Sequence, residues 1–154
     1  MPRSLRALLP LLAVALLASC VSDGPFIPTI ETTNFAASLG VDLAASTQTA
    51  SGLYYRDIIV GSGATVPAVS GTSVTTTYAG YLRGGTLFDS GTLPPFTTGT
   101  GAVISGFDEG VRGMKVGGRR QLIIPSFLGY GNQAQVGIPK NSILVFVVDL
   151  VSIN

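Results

Sequence analysis

Hydrophobic and polar positions sort this chain into an apolar leader, a stretch rich in Thr, Ser and Ala, and a long region of strand-like alternation. Leu53-Tyr54-Tyr55-Arg56-Asp57-Ile58-Ile59-Val60 is aromatic and β-branched and runs into Gly61-Ser62-Gly63, which predicts a strand closed by a turn. Over residues 74–82 the alternation puts Val74, Thr76, Tyr78 and Leu82 on one side and Thr75, Thr77 and Tyr81 on the other. Residues 119–124 predict another strand, stopped by Pro125. Residues 143–151 are the most apolar segment, with Leu144, Phe146, Val148 and Leu150 sharing a face. One-faced alternation of this kind fits antiparallel strands better than βαβ units. The one helix predicted within this region is short, over residues 107–114. Asp108 and Glu109 sit in its first turn, Lys115 lies beyond its last, and Phe107, Val111 and Met114 line one side. The expectation is an α+β domain of about 100 residues, large enough for a single core.

The leader reads as an address. Arg3 and Arg6 precede an apolar run over residues 7–17, interrupted only by Pro10 and followed by Ala18-Ser19-Cys20. A charged start, a short apolar stretch and small residues at its end are the marks of a secretory signal peptide. As a helix the run reaches only about 16 Å, short of the ~30 Å hydrocarbon core, so a permanent membrane span is not expected. Leu17-Ala18-Ser19-Cys20 also resembles the bacterial lipoprotein box. On that reading residues 1–19 are a lipoprotein signal peptide, and Cys20 is lipidated and anchors the chain to the membrane. The alternative is an ordinary signal peptide with a leftover Cys. Val21, rather than Asp, follows the Cys, which points to the periplasmic face of the outer membrane in a Gram-negative host. Residues 20–50 are expected to form a flexible tether with an r.m.s. span of roughly 30 Å. Phe35, Leu39 and Leu43, spaced by four, hint at one short helix over residues 34–45, with loops on either side.

Composition narrows the chemistry. The 154 residues include no His, no Trp and one Cys. Ser–His–Asp and Cys–His catalysis, His-based zinc sites and haem ligation by His are excluded, as are an internal disulfide and any CxxC motif. Nine Lys+Arg against eight Asp+Glu give +1, far from the basic footprint of a nucleic-acid binder. No cofactor, metal or nucleic acid is expected. What remains is shape, apolar surface and one carboxylate.

Ordered motifs then carry a family resemblance. Val74-Thr75-Thr76-Thr77-Tyr78-Ala79-Gly80 is followed by Gly85-Thr86-Leu87-Phe88-Asp89-Ser90 and by Val103-Ile104-Ser105-Gly106-Phe107-Asp108-Glu109-Gly110. Next come Gly113-Met114-Lys115-Val116-Gly117-Gly118, Ile124-Pro125, Gly129-Tyr130-Gly131, Ile138-Pro139 and Leu144-Val145-Phe146. In this order, across residues 51–154 and without large insertions, they resemble the FKBP-type peptidyl-prolyl isomerases. The layout of lipobox, tether and domain resembles the envelope FKBP lipoproteins of bacteria.

The resemblance implies an antiparallel half-barrel sheet wrapped around one short helix, with an apolar pocket between them. It implies catalytic roles for Asp89, Tyr130 and Phe107, the last as the pocket floor where many relatives carry Trp. It implies substrate contacts from Tyr78, Phe88, Phe96, Val103, Ile104, Gly129, Ile138 and Phe146, with the Ile104 N–H and the Tyr130 hydroxyl turned to a substrate carbonyl. The implied partners are proline-containing unfolded or loop segments of envelope proteins, and macrolide inhibitors. Three departures stand out. Residues 90–95 lack the Arg that many relatives pair with the Asp, so Asp89 is expected to lean on the Tyr78 hydroxyl or on water. Phe96 matches either of two family aromatics. Lys140 stands where relatives carry a second Pro, and the loop over residues 132–137 is slightly shorter than in small cytosolic relatives.

The activity so implied needs no covalent step. An X–Pro bond resists rotation by ~18–20 kcal/mol because amide resonance must be broken. The twisted amide is less dipolar than the planar one, so an apolar pocket binds it preferentially. Each residue also has a plainer reading: Phe107 and Phe146 as core, Asp89 as a turn residue bonding its own backbone, Asp108 and Glu109 as a charged helix start. Three readings of the whole therefore stand side by side: a prolyl isomerase, a proline-directed binding module or holdase with little catalysis, and a structural envelope lipoprotein.

Overall fold

The computed structural model describes residues 27–154, so the leader and Cys20 lie outside the described residues. Six strands form one antiparallel sheet: β1 (Thr47–Gln48), β2 (Tyr54–Ile59), β3 (Ser73–Leu82), β4 (Leu87–Thr97), β5 (Arg119–Ile124) and β6 (Leu144–Ile153). Their spatial order is β1-β2-β5-β6-β3-β4. One α-helix, α1 (Ser105–Val111), crosses between β4 and β5 in sequence and packs on β5. This is the half-barrel around a short helix that the motifs imply.

The predicted faces hold. Leu144, Phe146, Val148 and Leu150 bury against Val74, Leu122 and Ile124, with Phe107, Val111 and Met114 closing the core from the helix side. Tyr78 and Leu82 pack on that inner cluster, while Tyr81 packs on the opposite face. The helix lies close because two of its residues have no side chain. A Cβ at Gly106 would stand 2.5 Å from the Ile124 methyl, and one at Gly110 would stand 2.5 Å from both Leu122 methyls.

The helix is displaced from its expected position. It begins at Ser105, with the Ile104 carbonyl accepting from the Phe107 and Asp108 amides, and it stops at Val111 because Arg112 is extended and Gly113 has φ +75°. Its C-terminal end is satisfied by Arg120 rather than by the expected Lys115. Arg120, 5% exposed, donates from Nη1 to the Gly110 and Arg112 carbonyls at 3.0 Å each. The same guanidinium grips both Asp57 oxygens, at 2.7 and 3.0 Å, and stacks 4.4 Å from the Tyr55 ring centre. A cation there complements the unpaired carbonyls and the negative end of the helix dipole.

Three other expectations are corrected. Residues 90–95, which the family resemblance casts as a short loop without Arg after Asp89, belong to β4. This strand lies at the sheet edge, where a missing proline N–H leaves no ladder bond unmade. Residues 30–50, expected as free tether, instead cover the outer face. Ile30, Phe35, Leu39, Val41 and Leu43 pack with Tyr54, Ile123, Ile143 and Val145, and β1 pairs with β2. The helix expected over residues 34–45 contracts to a 3₁₀ turn, Ala37–Leu39, closed by Gly40 at φ +58°. The carbonyls that would continue it are taken by the sheet: Gln121 Nε2 donates to Leu39 O at 2.7 Å and Arg56 Nη2 to Gly40 O at 2.8 Å. The spacing by four therefore records packing onto the sheet, not helix.

Gly110→Ala should lower stability in urea unfolding by about 1–3 kcal/mol, because overpacking against buried Leu122 outweighs the ~1 kcal/mol gained in helix propensity. In the Leu122→Ala background the same change should cost little or become favourable. Equal costs in both backgrounds would mean that helix and strand are not in limiting contact.

Candidate active site

Four elements converge on one cleft. β3 supplies Tyr78, β4 supplies Phe88 and Asp89, the entry to α1 supplies Val103, Ile104 and Phe107, and β6 supplies Phe146. Tyr130 comes from the segment after the 3₁₀ turn Ser126–Leu128. The cleft has a volume of ≈ 210 Å³. Phe107, 3% exposed, is its floor. Phe107 and Phe146 meet edge to face at 5.5 Å between ring centres, Phe88 and Phe146 do likewise at 5.5 Å, and Tyr78 meets Phe107 at 6.1 Å. Edge-to-face pairs at such distances are favourable and hold each ring in place. Gly80 makes the arrangement possible, since a Cβ there would lie 2.6 Å from Phe88 Cζ and 2.7 Å from Phe146 Cε1.

The rim carries the polar groups. The Tyr78 hydroxyl donates to Asp89 Oδ2 at 2.6 Å, and the Ser90 amide donates to Asp89 Oδ1 at 2.9 Å. Asp89 thus leans on Tyr78 and also accepts from the next backbone amide, but it does so from within β4 and not as a turn residue. Among the described residues it has no ion-pair partner, as the absence of Arg from residues 90–95 implies. The hydrogen bond to the carboxylate, with burial and the Asp89 charge adding to it, pushes the Tyr78 phenol from 10.0 up to about 12. Tyr78 is therefore a donor throughout the physiological range. The Ile104 amide finds no acceptor among the described residues, although its carbonyl is fully used by the helix start. Asp108 does more than start the helix. Its carboxylate accepts from the Gly99 amide at 2.6 Å and pairs with Arg112, fixing the loop that presents Val103 and Ile104.

Eight of the expected residues line the cleft: Tyr78, Phe88, Asp89, Val103, Ile104, Phe107, Tyr130 and Phe146. Three do not. Phe96 is buried behind Phe107, with ring centres 6.1 Å apart, and supports the floor from below. Gly129 backs onto Leu144, where a Cβ would come within 3.2 Å. Ile138 is buried in the main core, its amide and carbonyl both paired with Gln135. Leu93 and Ala102 line the cleft without having been expected. Leu93 lies on β4 opposite Thr76, a strand that the alternation does not predict. Ala102 carries no sequence signal.

Comparison with known proteins agrees with this geometry. The family described as FKBP-type peptidyl-prolyl cis-trans isomerase matches residues 64–151. The chain belongs to this family. It is similar to FK506-binding protein 3 of Candida albicans, 50% identical over 105 residues, covering 66% of this chain and 24% of that protein. FK506-binding protein 4 of Dictyostelium discoideum is 49% identical over 105 residues, covering 66% of this chain and 28% of its own length. The chain therefore spans about a quarter of the length of these relatives. Among solved structures, FkpA from Escherichia coli superposes with a TM-score of 0.63 at 34% identity, covering 71% of this chain and 52% of that one. AtFKBP13 gives a TM-score of 0.60 at 34% identity, over 71% of this chain and 98% of that one.

The raised phenol has a testable sign. Its bond to Asp89 contributes stability that is present below pH 10, the unfolded value, and is lost as pH rises through about 12. Ring-carbon NMR titration should place Tyr78 ionisation near 12 in the wild type and closer to 10 in Asp89→Asn. An unmoved titration would show that Asp89 does not hold the phenol.

Proposed function

We propose that this domain accelerates cis/trans rotation of X–Pro bonds in extended or unfolded protein segments, without a covalent step. The observation that carries this reading is the ring-walled cleft over Phe107, with one open amide at its edge. The prolyl ring packs on Phe107 between Tyr78, Phe88 and Phe146. The Ile104 N–H donates to the carbonyl that follows the proline, and the Tyr130 hydroxyl donates from the opposite rim. These contacts hold one end of the peptide while the amide turns. As resonance is lost the amide becomes less dipolar, and the apolar walls favour that twisted form over the planar one. Asp89 keeps Tyr78 oriented and gives the rim its negative end. The relatives' names state that they bind FK506, and on this reading a macrolide of that kind would occupy the same cleft in this chain.

Clients of the bacterial envelope, and an anchor at Cys20, belong to this proposal. They are supported by Leu17-Ala18-Ser19-Cys20 and by the charged apolar leader. The curated relatives cited above are eukaryotic and lend the anchor no support. The FkpA likeness is to a bacterial protein.

A protease-coupled assay on a short X–Pro peptide tests the activity. Tyr130→Ala and Phe146→Ala should each lower kcat/KM by about tenfold or more, ~1.4 kcal/mol of transition-state binding, and weaken macrolide binding in parallel. Phe146→Ala should also cost ~3–5 kcal/mol of stability, so Tyr130→Ala is the cleaner probe. The wild-type rate should stay nearly flat from about pH 6 to 9, since no proton moves and Tyr78 ionises far above that range. A neutral-range bell would refute the passive cleft. Peptide binding without acceleration would make the domain a proline-directed binding module instead.

The anchor is tested separately. Expressed in a Gram-negative bacterium, the mature protein should partition into detergent and carry lipid mass. Cys20→Ala should be released into the soluble periplasmic fraction or remain uncleaved. Wild-type protein free of lipid would end the lipoprotein reading.

A further inference from the structure

A second cavity is larger than the aromatic cleft. It is an open groove of ≈ 720 Å³ at the turn between β3 and β4, bounded by Arg83, Thr86, Pro139, Lys140 and Ser142 over an apolar base at Leu82. Two of its lining residues are cations and none is acidic. Elsewhere on the described surface the arginines are mostly engaged: Arg112, Arg119 and Arg120 pair with aspartates, and Arg56 donates to a backbone carbonyl. Arg83 and Lys140 form no ion pair among the described residues. They face one groove from two different loops.

This groove adjoins the cleft through both loops. Thr86 on the groove is two residues from Phe88 in the cleft, about 7 Å at strand rise. Gly137, one residue before Ile138-Pro139, sits against Phe88, where its Cβ would lie 3.9 Å from that of the ring residue. A peptide whose proline occupies the cleft reaches the groove in about three extended residues, ~10 Å.

Resting on the isomerase reading, we propose that the groove is a second subsite that selects client segments carrying an acidic side chain about three residues from the proline. Arg83 and Lys140 receive the carboxylate, and Thr86 and Ser142 border it with hydroxyls. The domain is otherwise near neutral, so the preference comes from this local pair of cations and not from overall charge. Lys140 stands where the family resemblance leads one to expect proline, which makes the subsite a property of this chain.

The full chain is tested with fluorescent single-proline peptides carrying Glu or Gln three residues before, or three residues after, the proline. Anisotropy reports binding and the protease-coupled assay reports kcat/KM. At low salt the Glu peptide should be favoured about three- to tenfold over its Gln partner in one of the two registers, a range fitting one or two exposed ion pairs. The preference should shrink at ~0.5 M salt. In Arg83→Gln/Lys140→Gln it should vanish, while rates on the Gln peptides stay unchanged. Equal treatment of Glu and Gln in both registers, or a preference that survives in the double variant, overturns the subsite. Acceleration of the Gln peptides without Glu preference removes the subsite and leaves the isomerase reading. Glu preference in binding with no acceleration of any peptide does the reverse.

Discussion

The site depends on how closely one short helix lies on the sheet. Gly106 and Gly110 bring its backbone to within side-chain contact of Ile124 and Leu122. Phe107 lies between them in sequence, and its ring reaches Phe146 on β6 and Tyr78 on β3 only at this separation. Two ordinary side chains at the glycine positions would lift the helix and take the floor away from the walls. A helix of seven residues does not hold itself together in water, so its existence comes from this packing. Glycine in a helix interior costs ~1 kcal/mol each relative to Ala, a cost that closeness to the sheet offsets.

Arg120 completes the same constraint from the other end. Burying a guanidinium is expensive, and it is tolerated where every donor finds a partner. Here the fork meets Asp57 side by side, the remaining nitrogen meets two carbonyls, and the flat face meets Tyr55. The helix end, β2 and β5 are thereby joined through one side chain. The division of labour is clear: polar interactions fix the scaffold behind the cleft, while the cleft itself is walled by rings and keeps a single carboxylate on its rim. The cleft's titratable side chains are thus tyrosines and one aspartate, in a chain that has no histidine.

Much of this was legible in the sequence because strands with one buried face print their alternation directly. Leu144, Phe146, Val148 and Leu150 declare β6, and the residues at which motif and alternation coincide, Tyr78, Phe107 and Phe146, are those that meet in the cleft. The misreadings have local causes. β4 goes unpredicted: its Pro94 and Pro95 are tolerated because it lies at an edge, and edge position is a property of the whole sheet. Phe35, Leu39 and Leu43 mimicked a helix because an irregular segment lying on a sheet also returns apolar residues at intervals of about four. Lys115 seemed placed to cap α1, but the capping charge arrives from Arg120, a residue in another element that no local pattern connects to the helix. Phe96 and Ile138 carry family motifs and yet serve the core, because a residue can shape a cleft by holding up its wall.

The packed N-terminal segment changes what an anchor would mean. A free tether of some thirty residues would let the domain wander roughly 30 Å from its attachment point. With Ile30 already buried against the outer face, the folded unit begins within about ten residues of Cys20 in sequence. The same segment reaches the β3–β4 turn, where the Ala36 amide donates to the Arg83 carbonyl at 2.9 Å. That turn borders the cationic groove and leads into Phe88 and Asp89. The N-terminal segment thereby braces, through a backbone bond, the turn that leads into one wall of the cleft.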